Sequence, residues 1–488
     1  MIKRKSISLN SFIFSVKSVL TVLFPLITYP YALRVLGVNN MGRYNFINSI
    51  IGYFLLLGSL GIVSYARRDG AIIRNDRKKI SQFASEVFSC NMILTIISYI
   101  ILIWCIFSVD RIRNEYILAL VLSVSMFLTV FGVEWVYSVY EDYIYITIRQ
   151  IVMQIVSMVL LFLLVQDSDD LIMYSVISII ASASGNIFNF VHSRKYCDII
   201  FTFKCNFRKH LPKTLVFFAN AMMITIYANT DQTMLGFMCG DYSVGLYGTS
   251  VKIYHVLGSI LTAASIVGVT TLTNFIGSNE IEAYNRSAVH IFSIIVTLTV
   301  PLVIGGVIFA HEIISLFGGI EYIEAVNSLI ILIIGLLGYA MAVFWGQCVL
   351  VASGQEKSLL YITAVSAVIN LIGNFIFIPY FKQDAAAFTT LLSEAVTALL
   401  TWYIGKKIVK IDSGMKIIAQ AFIGGIFVIV VSLAFKHWIS KESIALFSSM
   451  VVAGGGYFCI EFLLCNPFVR GTVLKAIIIF KRKLGRGR

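Results

Sequence analysis

The sequence predicts an all-α integral membrane protein of about fourteen transmembrane helices. Two observations predict it. Of its 488 residues, 58% are hydrophobic and only 13% charged, where a soluble protein carries about 25% charged residues. Apolar stretches of roughly twenty residues, the length that crosses a ~30 Å hydrocarbon core, recur along nearly the whole chain. A mean hydropathy of +0.88 describes a surface that lipid solvates and water does not.

The first helix is read at 11–34. It follows a basic start, Lys3, Arg4 and Lys5, that looks like a signal-peptide n-region. The apolar run behind it is too long, and no small-residue cleavage site closes it, so it is expected to stay as a permanent helix. Pro25 and Pro30 each lack a backbone donor, which frees the carbonyls of Thr21 and Leu26. In lipid those carbonyls need protein or cavity water. The prolines therefore mark a helix break beside a cavity, or a plain kink.

Five further spans follow, at 45–66, 83–107, 116–138, 144–165 and 170–191. Residues 1–191 are read as an N-terminal six-helix lobe. The longest polar segment, 192–212, is far shorter than the roughly fifty residues of an independent domain, and it is read as a cytoplasmic linker. A C-terminal six-helix lobe, 213–405, comprises spans at 213–235, 246–270, 287–310, 325–351, 359–379 and 385–405. Residues 406–488 hold two extra helices, 416–436 and 443–466, and a basic tail.

An internal echo supports two lobes. Leu36-Gly37 precedes Gly42-Arg43-Tyr44 after the first helix, and Leu235-Gly236 precedes Gly245-Leu246-Tyr247 after the seventh. Six helices lie between, so the repeats run parallel, an arrangement that places a transporter's substrate in a central cavity between halves. Interface packing also explains these glycines and tyrosines.

The net charge of +13 does not indicate nucleic acid, because the basic residues are sorted by side. With a cytoplasmic N-terminus, 28 of the 38 Lys and Arg fall in cytoplasmic segments and seven on the opposite side. This is the positive-inside pattern. It predicts a multi-pass protein of the bacterial inner membrane with both termini cytoplasmic, the tail Lys481–Arg488 lying near anionic lipid.

The remaining three cations, Lys17, Arg149 and Lys252, fall inside spans, as do the acids Glu134, Asp231 and Glu394; Glu86 opens the third helix. Intramembrane charge is costly and marks functional candidates. Lys17, Glu134 and Arg149 share the inner half of the membrane, and Asp231 and Lys252 the outer half. One reading is a polar cavity that binds an anionic substrate through the three cations, while the acids tune them or carry a coupling ion, H+ or Na+. The other is structural: Lys17 and Arg149 snorkel to headgroups, Asp231 pairs with Lys252, and Glu394 bonds a Ser or Thr. Asn370 and Asn374 share one face of the eleventh helix, which interhelical hydrogen bonding explains.

The eight cysteines form no CxxC pair. No P-loop, HExxH or His/Asp/Ser constellation occurs, so neither a catalytic site nor a metal or organic cofactor is expected. Asp167-Ser168-Asp169-Asp170 reads as a solvated turn.

Phe24-Pro25-Leu26-Ile27-Thr28-Tyr29-Pro30-Tyr31, then Arg34-Val35-Leu36-Gly37 and Gly42-Arg43-Tyr44, resemble the opening signature of bacterial polysaccharide repeat-unit flippases. These are O-antigen and capsule transporters of the multidrug/oligosaccharidyl-lipid/polysaccharide exporter superfamily. Ala66-Arg67-Arg68-Asp69, Tyr143 to Arg149, Asp231 to Gly236 with Lys252-Ile253, and Gly354-Gln355-Glu356-Lys357 with Asn370, Asn374 and Glu394 are similar to later family segments. The likeness covers roughly 8–405. Asp384-Ala385-Ala386-Ala387 departs from it, since relatives place glycine before the alanines.

The resemblance implies a non-enzymatic flippase that moves an undecaprenyl-diphosphate-linked oligosaccharide to the outer leaflet by alternating access. It adds weight to Arg149 and Lys252, which lie in matching segments, and implies polymerase and other polysaccharide-assembly proteins as partners. Two alternatives stand beside it: a multidrug or cation antiporter of the same superfamily, and a membrane glycosyltransferase or polymer ligase.

Overall fold

The computed structural model describes residues 7–203, 207–278 and 280–474, with side chains from residue 23 onward except at 207–209, 216, 220 and 267. The Lys17 side chain therefore lies outside the described residues. Among the described residues every regular element is helical. Among the described residues, eleven helices are long and apolar enough to cross a membrane, or twelve if the bent pair His210–Ala219 and Ala221–Met238 counts as one span. Two of the eleven, Leu23–Ile73 and Glu356–Gly405, are 51 and 50 residues long. Each would measure about 75 Å if straight, so the expected fourteen requires each to be counted as two passes.

The chain divides into two compact units, Met1–Gly248 and Thr249–Arg488. The expected linker, 192–212, lies inside the first.

In the first unit α1 (Ile7–Ser59) runs helically through Pro25 and Pro30 and breaks instead at Gly37, whose φ is 76° and ψ 171°. Proline's fixed φ is compatible with a helix and costs one bond, whereas a positive φ reverses the chain and suits a residue without Cβ. The helix thus continues through both prolines, and the chain turns at Gly37, where the turn after the first span was expected. The second limb ends at Leu60 and Gly61, both of positive φ. A short helix, α2 (Ile62–Ile73), follows and carries Arg67, Arg68 and Asp69, where a loop was expected.

Asp76 caps α3 (Arg77–Ser108) by accepting from the backbone of Lys78 and Lys79. After α4 (Asp110–Arg113) comes α5 (Tyr116–Val130). Val133, at φ 35°, separates α5 from α6 (Glu134–Val139), so the expected fourth span is two helices. Next come α7 (Tyr143–Leu164), α8 (Leu171–Ile179), a π-helical turn at Ile180–Ser184, and α9 (Gly185–Ser193). The unit closes with α10 (Phe207–Met238) and the start of α11 (Asp241–Gly277).

On α7, Ile148, Val152, Ile155, Val159 and Leu163 form an exposed apolar stripe, while Thr147 and Ser157 are buried. Apolar outside and polar inside is the reverse of a water-facing helix, and it fits lipid.

The echoed turns meet inside this unit. A Cβ on Gly42 would sit 1.8 Å from the Asp241 carbonyl oxygen, and one on Gly245 2.2 Å from the Val38 carbonyl oxygen. Each turn thus leaves space for the other's backbone, which gives the two glycines a packing role. Bidentate contacts of 2.7 and 2.8 Å from Arg43 to Glu115 flank the crossing. Arg111 pairs with Asp241 and donates to the Gly236 carbonyl at 3.1 Å.

The second unit holds most of α11, then α12 (Ile281–Ile308), α13 (Ala310–Gly318), α14 (Val326–Ala342), a π-helical stretch at Val343–Leu350, α15 (Glu356–Gly405), α16 (Gly414–Trp438) and α17 (Glu442–Leu463). Its core gathers Ile291, Phe292, Phe344, Trp345 and Ile417. Within α15, Lys382 adopts φ 50° and ψ −127°, where a turn between the eleventh and twelfth spans was expected.

Candidate functional site

Arg149 projects from the first turns of α7. Its Nη2 donates to Glu134 Oε1 at 3.3 Å and its Nη1 to Asn186 Oδ1 at 3.4 Å. Nε is buried without a partner among the described residues. Three local features build this arrangement. The turn at Val133 restarts the chain so that Glu134 stands at the head of α6. The π-helical turn at Ile180–Ser184 precedes Gly185 and Asn186. A Cβ on Gly185 would lie 3.0 Å from Arg149 Cδ and Nε, so the absent side chain is what admits the arginine stem.

Beside these groups is a cavity of about 220 Å³, lined by Glu134, Arg149, Gln150, Met153, Ala181, Ser182 and Gly185. Drug-sized ligands occupy roughly 300–1,000 Å³, so this cavity suits a head group or part of one. A guanidinium has five donors and no acceptor. With an orphan Nε and two long bonds, Arg149 has donor capacity left for a group rich in acceptor oxygens, a phosphate or carboxylate. Glu134 is about half exposed while Arg149 is nearly covered, so the acid can yield to such a group more readily than the base can move.

Of the predicted site residues, the structure brings Glu134 and Arg149 together. Asp231, buried on α10, accepts from the Tyr247 hydroxyl. Lys252 is half-buried on α11 in the second unit. Glu394, buried on α15, accepts from the Tyr254 hydroxyl at 3.1 Å; the expected Ser or Thr partner is thus a tyrosine in this bond. Asn374 donates to Asn370 at 3.1 Å and accepts from Thr389, tying the two limbs of α15 as interhelical bonding predicts. Among the described residues no group of three or more His, Cys, Asp or Glu could hold a metal ion.

Sequence reasoning missed Asn186 and Gly185. An asparagine within a span was a signal, but one indistinguishable from ordinary interhelical hydrogen bonding.

Comparisons with known proteins agree with this architecture. A family described as "Polysaccharide biosynthesis protein" matches residues 8–270, and a second, "MatE", residues 217–376. The chain is 22% identical over 397 residues to a "Putative O-antigen transporter" of Escherichia coli (strain K12), covering 78% of this chain and 92% of that one. It is 24% identical over 408 residues to "Capsular polysaccharide biosynthesis protein CapF" of Staphylococcus aureus, covering 80% and 98%. Its fold matches "Lipid II flippase MurJ, inward closed conformation" with a TM-score of 0.74 at 16% identity, over 95% of this chain and 99% of that one. It matches an outward-facing multidrug resistance MATE family transporter of the MOP superfamily with a TM-score of 0.52 at 16% identity, over 84% and 94%.

Proposed function

Since the chain belongs to the polysaccharide biosynthesis protein family, we propose that it is a flippase that carries an undecaprenyl-diphosphate-linked oligosaccharide across the bacterial inner membrane by alternating access. It is a multi-pass membrane transporter, not an enzyme. The observation that carries the substrate reading is Arg149: a nearly covered guanidinium with an unpaired Nε at a cavity, in a chain otherwise solvated by lipid. A diphosphate crossing oil needs a fixed positive partner, and Arg149 supplies one now held by long bonds to a half-exposed glutamate and to Asn186. Lys252 is assigned to the same task in the second unit, and Lys17 on its depth in the first helix. Asp231 and Glu394 are held as candidate coupling acids, and polymerase and other assembly proteins as candidate partners.

The "MatE" match over 217–376 supports a second reading, export of cationic drugs. Arg149 and Lys252 oppose it, since cations repel such cargo.

Reconstitution with defined lipid-linked oligosaccharides tests the proposal. A charge-assisted hydrogen bond contributes about 1.5–3 kcal/mol, so Arg149→Ala should slow transport by roughly ten- to a hundredfold, and Arg149→Lys by less. Unchanged transport in both Arg149→Ala and Lys252→Ala would remove the cationic-site assignment. Drug efflux without saccharide movement would favour the second reading.

A further inference from the structure

We propose that Tyr65, His210 and Glu86 form a proton-exchange site of this transporter. The cluster lies wholly in the first unit, where α2, α3 and the start of α10 converge. His210 Nε2 is 2.8 Å from Glu86 Oε2, and His210 Nδ1 is 2.8 Å from the Tyr65 hydroxyl. All three side chains are buried. An ionised carboxylate only accepts, so Nε2 carries a hydrogen and Nδ1 of the neutral ring accepts from Tyr65. Gln82 Nε2 donates to the other Glu86 oxygen at 2.9 Å. The arrangement is complete with a neutral ring, and the Nδ1 position is the one that can gain a proton.

A route to that position is present. Asp69 lies four residues after Tyr65 on α2, on the same face of that helix. Asp69 accepts from Arg68 Nε at 2.8 Å and from Lys213 Nζ at 2.9 Å, and Arg68 is exposed. Asp69, paired with Arg68 and Lys213, carries a proton only transiently and passes it to the Tyr65 oxygen as the original Tyr65 hydrogen moves to Nδ1. One O–H bond breaks as the N–H bond forms, Asp69 returns to its carboxylate, and His210 becomes an imidazolium against Glu86. The void beside the ring, lined by Cys90, Leu94 and Leu211 among others, has about 10 Å³, at most about one water.

Among the described residues, the titratable and charged groups around His210 are Tyr65, Arg68 and Asp69 on α2, Glu86 and Cys90 on α3, and Lys213 on α10 itself. An added proton on the ring places a positive charge directly against the Glu86 carboxylate. It also sits where it has leverage. His210 begins the limb His210–Ala219, which is bent by 41° from Ala221–Met238. A buried imidazole whose charge state changes at physiological pH is a recurrent switching device. Sequence reading placed the coupling acids at Glu134, Asp231 and Glu394; this site is separate from all three.

What the proton drives rests on the flippase reading, so the test has two arms. In the first, the protonation state of the His210 ring of the purified full chain is followed by NMR from about pH 5 to 8. Uptake of one proton at Nδ1 is expected. Glu86→Gln should shift that transition to lower pH, and Tyr65→Phe should alter it while leaving thermal unfolding nearly unchanged. A ring signal constant across that range overturns the proposal. In the second arm, an imposed pH gradient should accelerate transport of lipid-linked oligosaccharide by wild-type vesicles, and this acceleration should be lost in His210→Gln and Tyr65→Phe. Acceleration retained in both overturns it. If wild-type vesicles move no saccharide at all, the flippase reading fails, and the NMR arm, which needs no substrate, still decides the proton site.

Discussion

Gly185 has no side chain where Arg149 needs room. A methyl group there would stand 3.0 Å from Cδ and Nε, close enough to push the guanidinium by a few tenths of an ångström. Its bonds to Glu134 and Asn186 are already 3.3 and 3.4 Å long, so the shift loosens them further. Gly185→Ala should therefore slow transport several-fold while thermal stability stays within about 1 kcal/mol, because alanine's better helix propensity offsets the crowding. Transport and unfolding measured side by side separate this outcome from simple misfolding. Arg149 and Glu134 were legible from the sequence because an ionisable residue in an apolar run stands out. Their neighbours were not: Gly185 matters for the volume it leaves empty, and Asn186 for a bond set by a π-helical turn that composition does not reveal.

Asp76 organises the start of α3. Its carboxylate accepts from the backbone of Lys78 and Lys79 at 3.1 Å each. The Lys79 backbone bond, with the Lys79 side chain adding to it, holds this carboxyl below its ordinary range. A depressed folded-state value means that the stabilisation is present above the ordinary carboxylate range and fades as pH falls through it. Hydrogen exchange at the Lys78 and Lys79 amides should accordingly lose protection on acidification. Asp76→Asn, which still caps but does not titrate, should keep that protection at low pH, and Asp76→Ala should lack it throughout. Pronounced protection in the alanine variant would refute the capping role.

The elements themselves were readable to different depths. Apolar length fixed where most spans lie, since hydropathy responds to length and composition alone. It placed turns around Gly37 and Lys382 but did not show that each is a single-residue break inside a helix of 53 or 50 residues. Nor did it show that α2 carries Arg67 and Arg68 on a helix of its own. Those features depend on one residue's backbone dihedral, which leaves no trace in a twenty-residue average.

The distribution of charge governs how the whole molecule sits in its bilayer. Under the positive-inside reading, segments holding 28 of the 38 basic residues face the cytoplasm. In a cysteine-free background, Lys78→Cys should react with a membrane-impermeant maleimide only when the cytoplasmic face is opened, and Arg113→Cys from the outside of intact cells. The reverse pattern would invert the topology. The twofold echo was visible as a short string of glycines and tyrosines. That its two copies lie against each other was not, because they are about two hundred residues apart and nothing local announces the contact.

That contact has a mechanical consequence. At Gly42 and Gly245 each turn abuts the other's carbonyl oxygen, with no side chain between to act as a cushion. Lateral sliding would drive an α-carbon into an oxygen, so shear along this seam is blocked by hard-core repulsion. Separation straight outward meets no such obstacle. Parting the turns there has instead to release Arg111 from Asp241 and from the Gly236 carbonyl.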